Sequence, residues 1–160
     1  KMPRRSYVRE KISNHEYHIV RIDEVENQSI DEVTERISEL LRVHGEGYVR
    51  TLNPDEIINA NERFYVFVVW NPHNDREEIL GCISIRIRTG EIGHVVVDRR
   101  YRRLGIARIM ISRMTNLLRS TPYANVRHGN QAMISLLNSL GFRCTEDNGH
   151  TYRFELITEA

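Results

Sequence analysis

Residues 99–108 read Arg-Arg-Tyr-Arg-Arg-Leu-Gly-Ile-Ala-Arg, and they are the part of the chain whose composition and spacing point most directly to chemistry. Gly105 and Ala107 stand two apart at the point where an apolar pattern of helical period begins, through Ile106, Ile109, Met110, Met114, Leu117 and Leu118. The first amides of a helix have no internal acceptor and carry the positive end of its dipole. With little side-chain bulk at Gly105 and Ala107, an anion can approach those amides closely, and phosphate is the natural ligand. The arginines of the turn, Arg102 and Arg103 among them, add charge for phosphate oxygens. They would also suit a nucleic-acid backbone, although a surface patch has no need of the small residues.

Upstream, Val95, Val96 and Val97 form a β-branched run suited to a buried strand. Glu91 and His94 lie on the same strand, and each is a group that takes protons near neutral pH when its surroundings tune it. Strict alternation puts the two on opposite faces unless a bulge intervenes. Read without reference to catalysis, Glu91 is a polar strand entry after Thr89-Gly90, and His94 is a hydrogen-bonded core histidine. His128, beyond a short strand at 123–126, is a third titratable candidate.

The turn matches R/Q-x-x-G-x-G/A at Arg102-Arg103-Leu104-Gly105-Ile106-Ala107, and Val97, Tyr101 and Arg102 extend the register. A second stretch, Asn130-Gln131-Ala132-Met133-Ile134-Ser135-Leu136-Leu137-Asn138-Ser139-Leu140-Gly141-Phe142, follows N-x-x-A-x-x-L-Y-x-x-L-G-F at Asn130, Leu136, Leu140, Gly141 and Phe142. Together, in this order, the two resemble the acyl-CoA site of the GNAT superfamily of N-acetyltransferases. Arg99 stands where that family has a proline, Met133 where it has an alanine, and Leu137 where it has a tyrosine.

The resemblance implies an acetyl-CoA-dependent N-acetyltransferase, moving an acetyl group to a primary amine of a small molecule or protein by direct attack on the thioester. It implies that the amides of Val95, Val96 and Val97 run along the pantetheine. It further implies that Arg103, Leu104, Gly105, Ile106, Ala107 and Arg108 cradle the pyrophosphate, with Arg102 adding charge and Asn130 also among the cofactor-binding residues. Glu91, counted back from Gly105, falls where some members carry their general base. The tyrosine replaced by Leu137 often protonates the departing thiolate, so another tyrosine such as Tyr123, or water, has to serve. The same replacement admits a non-catalytic acyl-CoA sensor as an alternative. The basic turn and N-terminus admit acetylation of a nucleic-acid-linked amine such as an aminoacyl-tRNA. Acetyl-CoA is the implied cosubstrate, and no metal is implied. The acceptor amine is the second partner, and no membrane is called for.

The elements that position these residues follow from patterning. Residues 1–16 are polar and basic, with Arg4, Arg5, Arg9 and Lys11, and are expected to form a loose arm. A single domain is expected over 17–157. Within it, Ser29-Ile30-Asp31-Glu32 is a capping box that opens a helix ended by Gly45. Asn53-Pro54 opens a second, short helix. The segment Gly45-Glu46-Gly47-Tyr48 between them is read as a flexible connection or as part of the acceptor pocket. Residues 64–70 and 80–88 are strands, the first covered on both faces. Arg86 and Arg88 share one face of the second. Phe142 to Glu146 and Thr151 to Leu156 pair through Asn148-Gly149. The order β-α-α-β-β-β-α-β-α-β-β makes an α/β fold with a mixed sheet. It agrees with the GNAT fold, whose central strands splay around the acyl-CoA site.

Composition sets the bounds. The chain has 160 residues, a length suited to one domain, and its net charge of +1 calls for no strongly charged partner. It contains two cysteines, Cys82 and Cys144, without metal-type spacing; a reducing, cytoplasmic setting with both thiols buried is expected. The basic N-terminus lacks an apolar stretch, so no secretory signal is expected.

Overall fold

The computed structural model describes residues 1–157. Seven strands form one sheet in the order β1-β2-β3-β4-β5-β7-β6. They are β1 (His18–Arg21), β2 (Arg63–Asn71), β3 (Arg76–Arg86), β4 (Glu91–Val97), β5 (Tyr123–Arg127), β6 (Phe142–Asp147) and β7 (Thr151–Leu156). Neighbours run antiparallel except β4 and β5, which are parallel and in register only at Glu91 and Tyr123. Beyond that point the two central strands part, and among the described residues the β5-facing edge of β4 has no strand partner.

Helices cover both faces. On one side, α1 (Arg5–Ser13), α4 (Ile106–Thr115) and α5 (Gln131–Ser139) pack Val8, Ile106, Met110, Met114 and Leu137 against Phe67, Leu80, Ile83, Ile92 and Val126. On the other, α2 (Ile30–Glu39) and α3 (Pro54–Ile58) pack Val33, Ile37 and Ile57 against Phe64, Val66, Cys82 and Val96. Both helices of this second layer start as their sequences require. The Ser29 and Asn53 side chains accept from the amides of Glu32 and Glu56, and each glutamate accepts the cap amide in return. The helical run from α2 continues as a π-helical turn, Leu40–His44, before Gly45.

Three expectations are corrected. The segment 1–16 is not a loose arm over Arg5–Ser13, which is helical with Val8 fully buried, so the element order begins with an additional helix. Long-range hydrogen bonds hold this helix: Arg5 Nη1 donates to Arg100 O at 3.0 Å, and Tyr7 Oη to Trp70 O at 2.8 Å. The fully buried Tyr101 adds a third tie by donating to Pro3 O at 2.6 Å. Cys144 is exposed rather than buried, while Cys82 is buried, and both are free thiols. Finally, β4 does not alternate throughout. Its pairing with β3 shifts register between Cys82 and Ser84, so that Gly93 faces Ser84 and Val96 faces Cys82 with two residues between them. That extra residue is a bulge. His94 carries it at φ 49, in the left-handed region.

Candidate active site

The turn after β4 is built in three steps. Asp98, fully buried, caps a short 3-10 turn, Arg99–Tyr101, by accepting from the amide of Arg100 at 3.0 Å. Arg103 then adopts φ 64 and Gly105 φ 88, which reverses the chain into α4. Only glycine takes such a conformation without steric cost. A Cβ built on Gly105 would meet nothing within 4 Å, because that side of the residue is open space. Along the turn, Arg102 N donates to Arg99 O, and the next amide with a backbone acceptor is Ile109, which donates to Gly105 O at 3.0 Å. Among the described residues, the amides of 103–108 have no backbone acceptor, as the start of a helix requires.

These amides border a cavity of about 490 Å³ that runs from the mouth of α4 along Val95–Val97 of β4 to the start of α5. Every donor-side residue nominated by the sequence lines it except Leu104: Val95, Val96, Val97, Arg102, Arg103, Gly105, Ile106, Ala107, Arg108 and Asn130. Asn130 also caps α5, accepting from the amide of Met133 at 3.3 Å. The opposite wall comes from His44, Val49, Ala132, Met133 and Leu136 together with Gly45, Glu46 and Tyr48. Ala132, Met133 and Leu136 belong to the second sequence motif, and Gly45, Glu46 and Tyr48 to the segment read as a connection or pocket wall; His44 and Val49 are the wall residues to which the sequence did not point. Tyr48 reaches across to Gly129, where a Cβ would lie 3.4 Å from its ring, so the cavity has a roof. A larger hollow, about 640 Å³, lies between the first residues and Asn71–His73 and holds none of the nominated residues.

The arginines of the turn are not equivalent. Arg102 Nη1 donates to the Glu46 carboxylate, Nη2 to His44 O at 2.6 Å and Nε to Val97 O at 3.4 Å. Its guanidinium therefore ties the Gly45–Tyr48 segment to the end of β4. Hydrogen bonding to Arg102 holds the Glu46 carboxyl below its ordinary range. Arg99 Nη2 donates to Val43 O at 2.9 Å. Arg100 makes two side-chain hydrogen bonds to Asp98, and Arg36 Nη2 adds a third at 2.7 Å. Burial alone would raise the Asp98 carboxyl, but the hydrogen bonds from Arg100 and Arg36 hold it well below the usual carboxylate range. Arg103 is the exposed arginine of the turn with no bonded partner among the described residues. Arg108 Nη2 donates to Ser139 Oγ at 2.8 Å.

Two proton-handling candidates, Glu91 and His94, lie on the α2–α3 face of β4, and neither lines this cavity. Glu91 is 3.6 Å from Arg86 Nε and accepts from Asn125 Nδ2 at 3.3 Å. Because of the bulge, His94 shares the face of Glu91: its Nδ1 lies 2.8 Å from Ser84 Oγ, and its ring centroid lies 5.3 Å from that of Phe64. Burial pushes the His94 imidazole below its ordinary value. Cys82, under the same strand, has its thiol pushed up to about 12 by burial and donates to His94 O at 3.4 Å, which makes it inert. His128 is held 2.8 Å from Asp147 Oδ1 and stacked on Tyr152 at 4.0 Å. Leu137 is fully buried in the core. Tyr123, across from Glu91, lies under the Arg153 guanidinium at 3.7 Å.

The family model for the acetyltransferase (GNAT) family matches residues 30–142. No curated protein matches the chain in sequence. Among solved structures, NAA60 of Arabidopsis thaliana in complex with a bisubstrate analogue superposes with a TM-score of 0.67 at 19% identity, covering 89% of this chain and 99% of that one. A domain from Methanocaldococcus jannaschii gives 0.64 at 16%, over 87% of this chain and 96% of that one. A spermidine N-acetyltransferase chimera from Vibrio cholerae gives 0.62 at 16%, over 89% and 95%. At these identities the likeness is one of fold.

Proposed function

The chain belongs to the acetyltransferase (GNAT) family, and we propose that it transfers the acetyl group of acetyl-CoA to a primary amine of a small molecule or protein. One observation carries the reading: the unpartnered amides at the start of α4 and the unpaired edge of β4 line the same cavity. A diphosphate suits the first, through close amide contact and the helix dipole. An extended pantetheine suits the second, since β4 beyond Glu91 offers backbone groups that β5 does not take. Val95, Val96 and Val97 would hold that arm, with Arg103 and Gly105 to Arg108 at the phosphates and Asn130 opposite. Acetyl-CoA supplies the activated acyl group. An amide of β4 in the gap is suited to receive the charge that develops on the carbonyl oxygen. Holding both reactants in one groove removes much of the entropic barrier.

Arg102 serves this site from its edge. Its donors are engaged by Glu46, His44 and Val97, so it shapes the wall rather than pairing with phosphate. Arg99, Arg100 and Arg102 are tied to Val43, Asp98, Glu46, His44 and Val97, which leaves fewer donors free to track a phosphate backbone and disfavours a nucleic-acid-linked acceptor. One domain over 17–157, with α1 packed on it, carries the activity, and its two unpaired thiols suit a reducing, cytoplasmic setting. Glu91 and His94, which share one face of β4, are the groups we propose for taking the proton of the acceptor amine.

Calorimetric titration with acetyl-CoA, followed by thiol release across a panel of primary amines, tests the assignment. Micromolar binding with amine-dependent release is expected. Failure to bind acetyl-CoA would overturn the reading. A second reading, a non-catalytic acyl-CoA sensor, is favoured by the burial of Leu137, which leaves no hydroxyl at the place of the family's acid. Tight binding with no thiol release on any amine would select it.

A further inference from the structure

We propose that His94, rather than Glu91, is the general base that takes the proton from the acceptor amine. The proposal rests on the acetyl-transfer reading above and assigns a group within that site. Three observations meet at this residue.

The first is the bulge. In a regular strand, His94 would point into the α4–α5 layer. The extra residue between Gly93 and Val96 turns it to the α2–α3 face, where Glu91 also lies. A residue other than glycine at φ 49 is uncommon, and histidine is among those that take this conformation more readily. The two residues that follow it, Val95 and Val96, line the donor cavity. The imidazole thus sits one residue from the strand segment along which the acyl donor lies.

The second is the arrangement of the ring. Nδ1 is fixed at 2.8 Å from Ser84 Oγ, and the Phe64 ring backs it. Among the described residues, Nε2 has no hydrogen-bond partner. When Nδ1–H donates to Ser84 Oγ, the lone pair is on Nε2, where a base needs it. The groups facing the ring are Glu62 at the approach to β2, Arg50 before α3 and Arg86 on β3. Burial and the two arginines lower the imidazole, against the opposing effect of Glu62, so it is neutral and proton-accepting at pH 7.

The third is the state of Glu91. Asn125 Nδ2 donates to one oxygen of its carboxylate at 3.3 Å, and the Arg86 guanidinium, bonded to Glu62, lies 3.6 Å from the other. Each oxygen of Glu91 thus already faces a neighbouring side chain, whereas Nε2 of His94 is bonded to none among the described residues.

The proton balance is simple. The ammonium gives one proton to His94 Nε2, and its freed lone pair forms the C–N bond to the thioester carbon. The C–S bond breaks, and its electron pair leaves with the CoA sulfur. The nitrogen then loses its second proton to that sulfur, and the imidazolium returns the first to solvent. Nδ1–H stays on Ser84 throughout.

His94→Asn is the variant of choice, because asparagine tolerates the left-handed backbone and keeps the bulge. With one amine and acetyl-CoA, kcat/KM is measured from pH 5 to 9 beside acetyl-CoA affinity. Relative to the wild type, kcat/KM is expected to fall about 100-fold at pH 7, losing the acid limb that lies below pH ~6.5, with affinity within twofold. Ser84→Ala keeps the imidazole but frees Nδ1; a loss of about tenfold with a displaced acid limb is expected. It supplies the test if the first variant does not fold. Glu91→Gln is expected to raise KM and keep the acid limb. The proposal is overturned if His94→Asn retains wild-type kcat/KM, or if Glu91→Gln alone abolishes the limb. A wild-type enzyme that binds acetyl-CoA yet releases no thiol with any amine would instead overturn the acetyl-transfer reading on which it stands.

Discussion

Replacing Gly105 with alanine separates what the turn needs for folding from what it needs for its ligand. Gly105 has φ 88, and its missing side chain points into open cavity space. The folded protein therefore loses no contact and gains no clash, and the cost is conformational. For an L-residue in the left-handed region it is roughly 1–2 kcal/mol. At 2–4 °C per kcal/mol for a chain of this size, the melting temperature should fall by roughly 2–8 °C. Gly149 makes a matched control, with φ 91, nothing within 4 Å of its Cβ, and a place in the β6–β7 hairpin outside the cavity. Gly149→Ala should cost the same stability for the same reason. Only at Gly105 does the new methyl occupy the approach to the amides of 105–108. A loss of more than tenfold in acetyl-CoA affinity, about 1.4 kcal/mol, is expected there and none at Gly149. Thermal melts and calorimetric titrations of both variants read the two effects. Equal affinities in the two variants would refute the diphosphate assignment, whatever their stabilities.

Asp98→Ala should destabilise the fold by roughly 3–5 kcal/mol at pH 7, because Arg36 and Arg100 lose a fully buried partner. Since the native carboxyl is held below its unfolded value of ~3.9, that contribution is fully present above this pH and is lost as pH falls through the native value; urea melts from pH 7 down to 3 should show the wild-type advantage shrinking only at the acid end. Glu46→Gln removes a partly exposed carboxylate from the cavity wall, and acetyl-CoA affinity should rise up to about fivefold by titration, the range set by an exposed ion pair of 0.2–1 kcal/mol. Leu137→Tyr restores the family's residue type at a fully buried core position, so differential scanning should show a loss of about 1–3 kcal/mol while kcat fails to rise.

Much of this architecture is legible from local chemistry. The capping boxes at Ser29 and Asn53, the Asn148–Gly149 hairpin and the small residues at the start of α4 each satisfy a need of the nearby backbone, and each appears where the pattern predicts it. What escapes the sequence depends on distant partners. The helix Arg5–Ser13 looks too polar to fold, yet Val8 is buried against the sheet and its neighbours bond to Trp70 and Arg100 far along the chain. Arg102 looks like a phosphate ligand by its place in the motif. Its partners, His44 and Glu46, come from the turn after α2, and nothing near Arg102 announces them.

The bulge in β4 belongs to the same class and matters most. Period-two alternation has no signature for one extra residue, so the reading of Glu91 and His94 inverts once it is present. A bulge also bends and twists its strand, and β4 stops pairing with β5 at Glu91, just ahead of it. One inserted position therefore accompanies both the parting of β4 from β5, where we propose that the acyl donor lies, and the turning of the His94 imidazole to the α2–α3 face. Deleting Val95 to restore regular pairing should close the first and misdirect the second together. Neither function could then be recovered by a point substitution elsewhere in the groove.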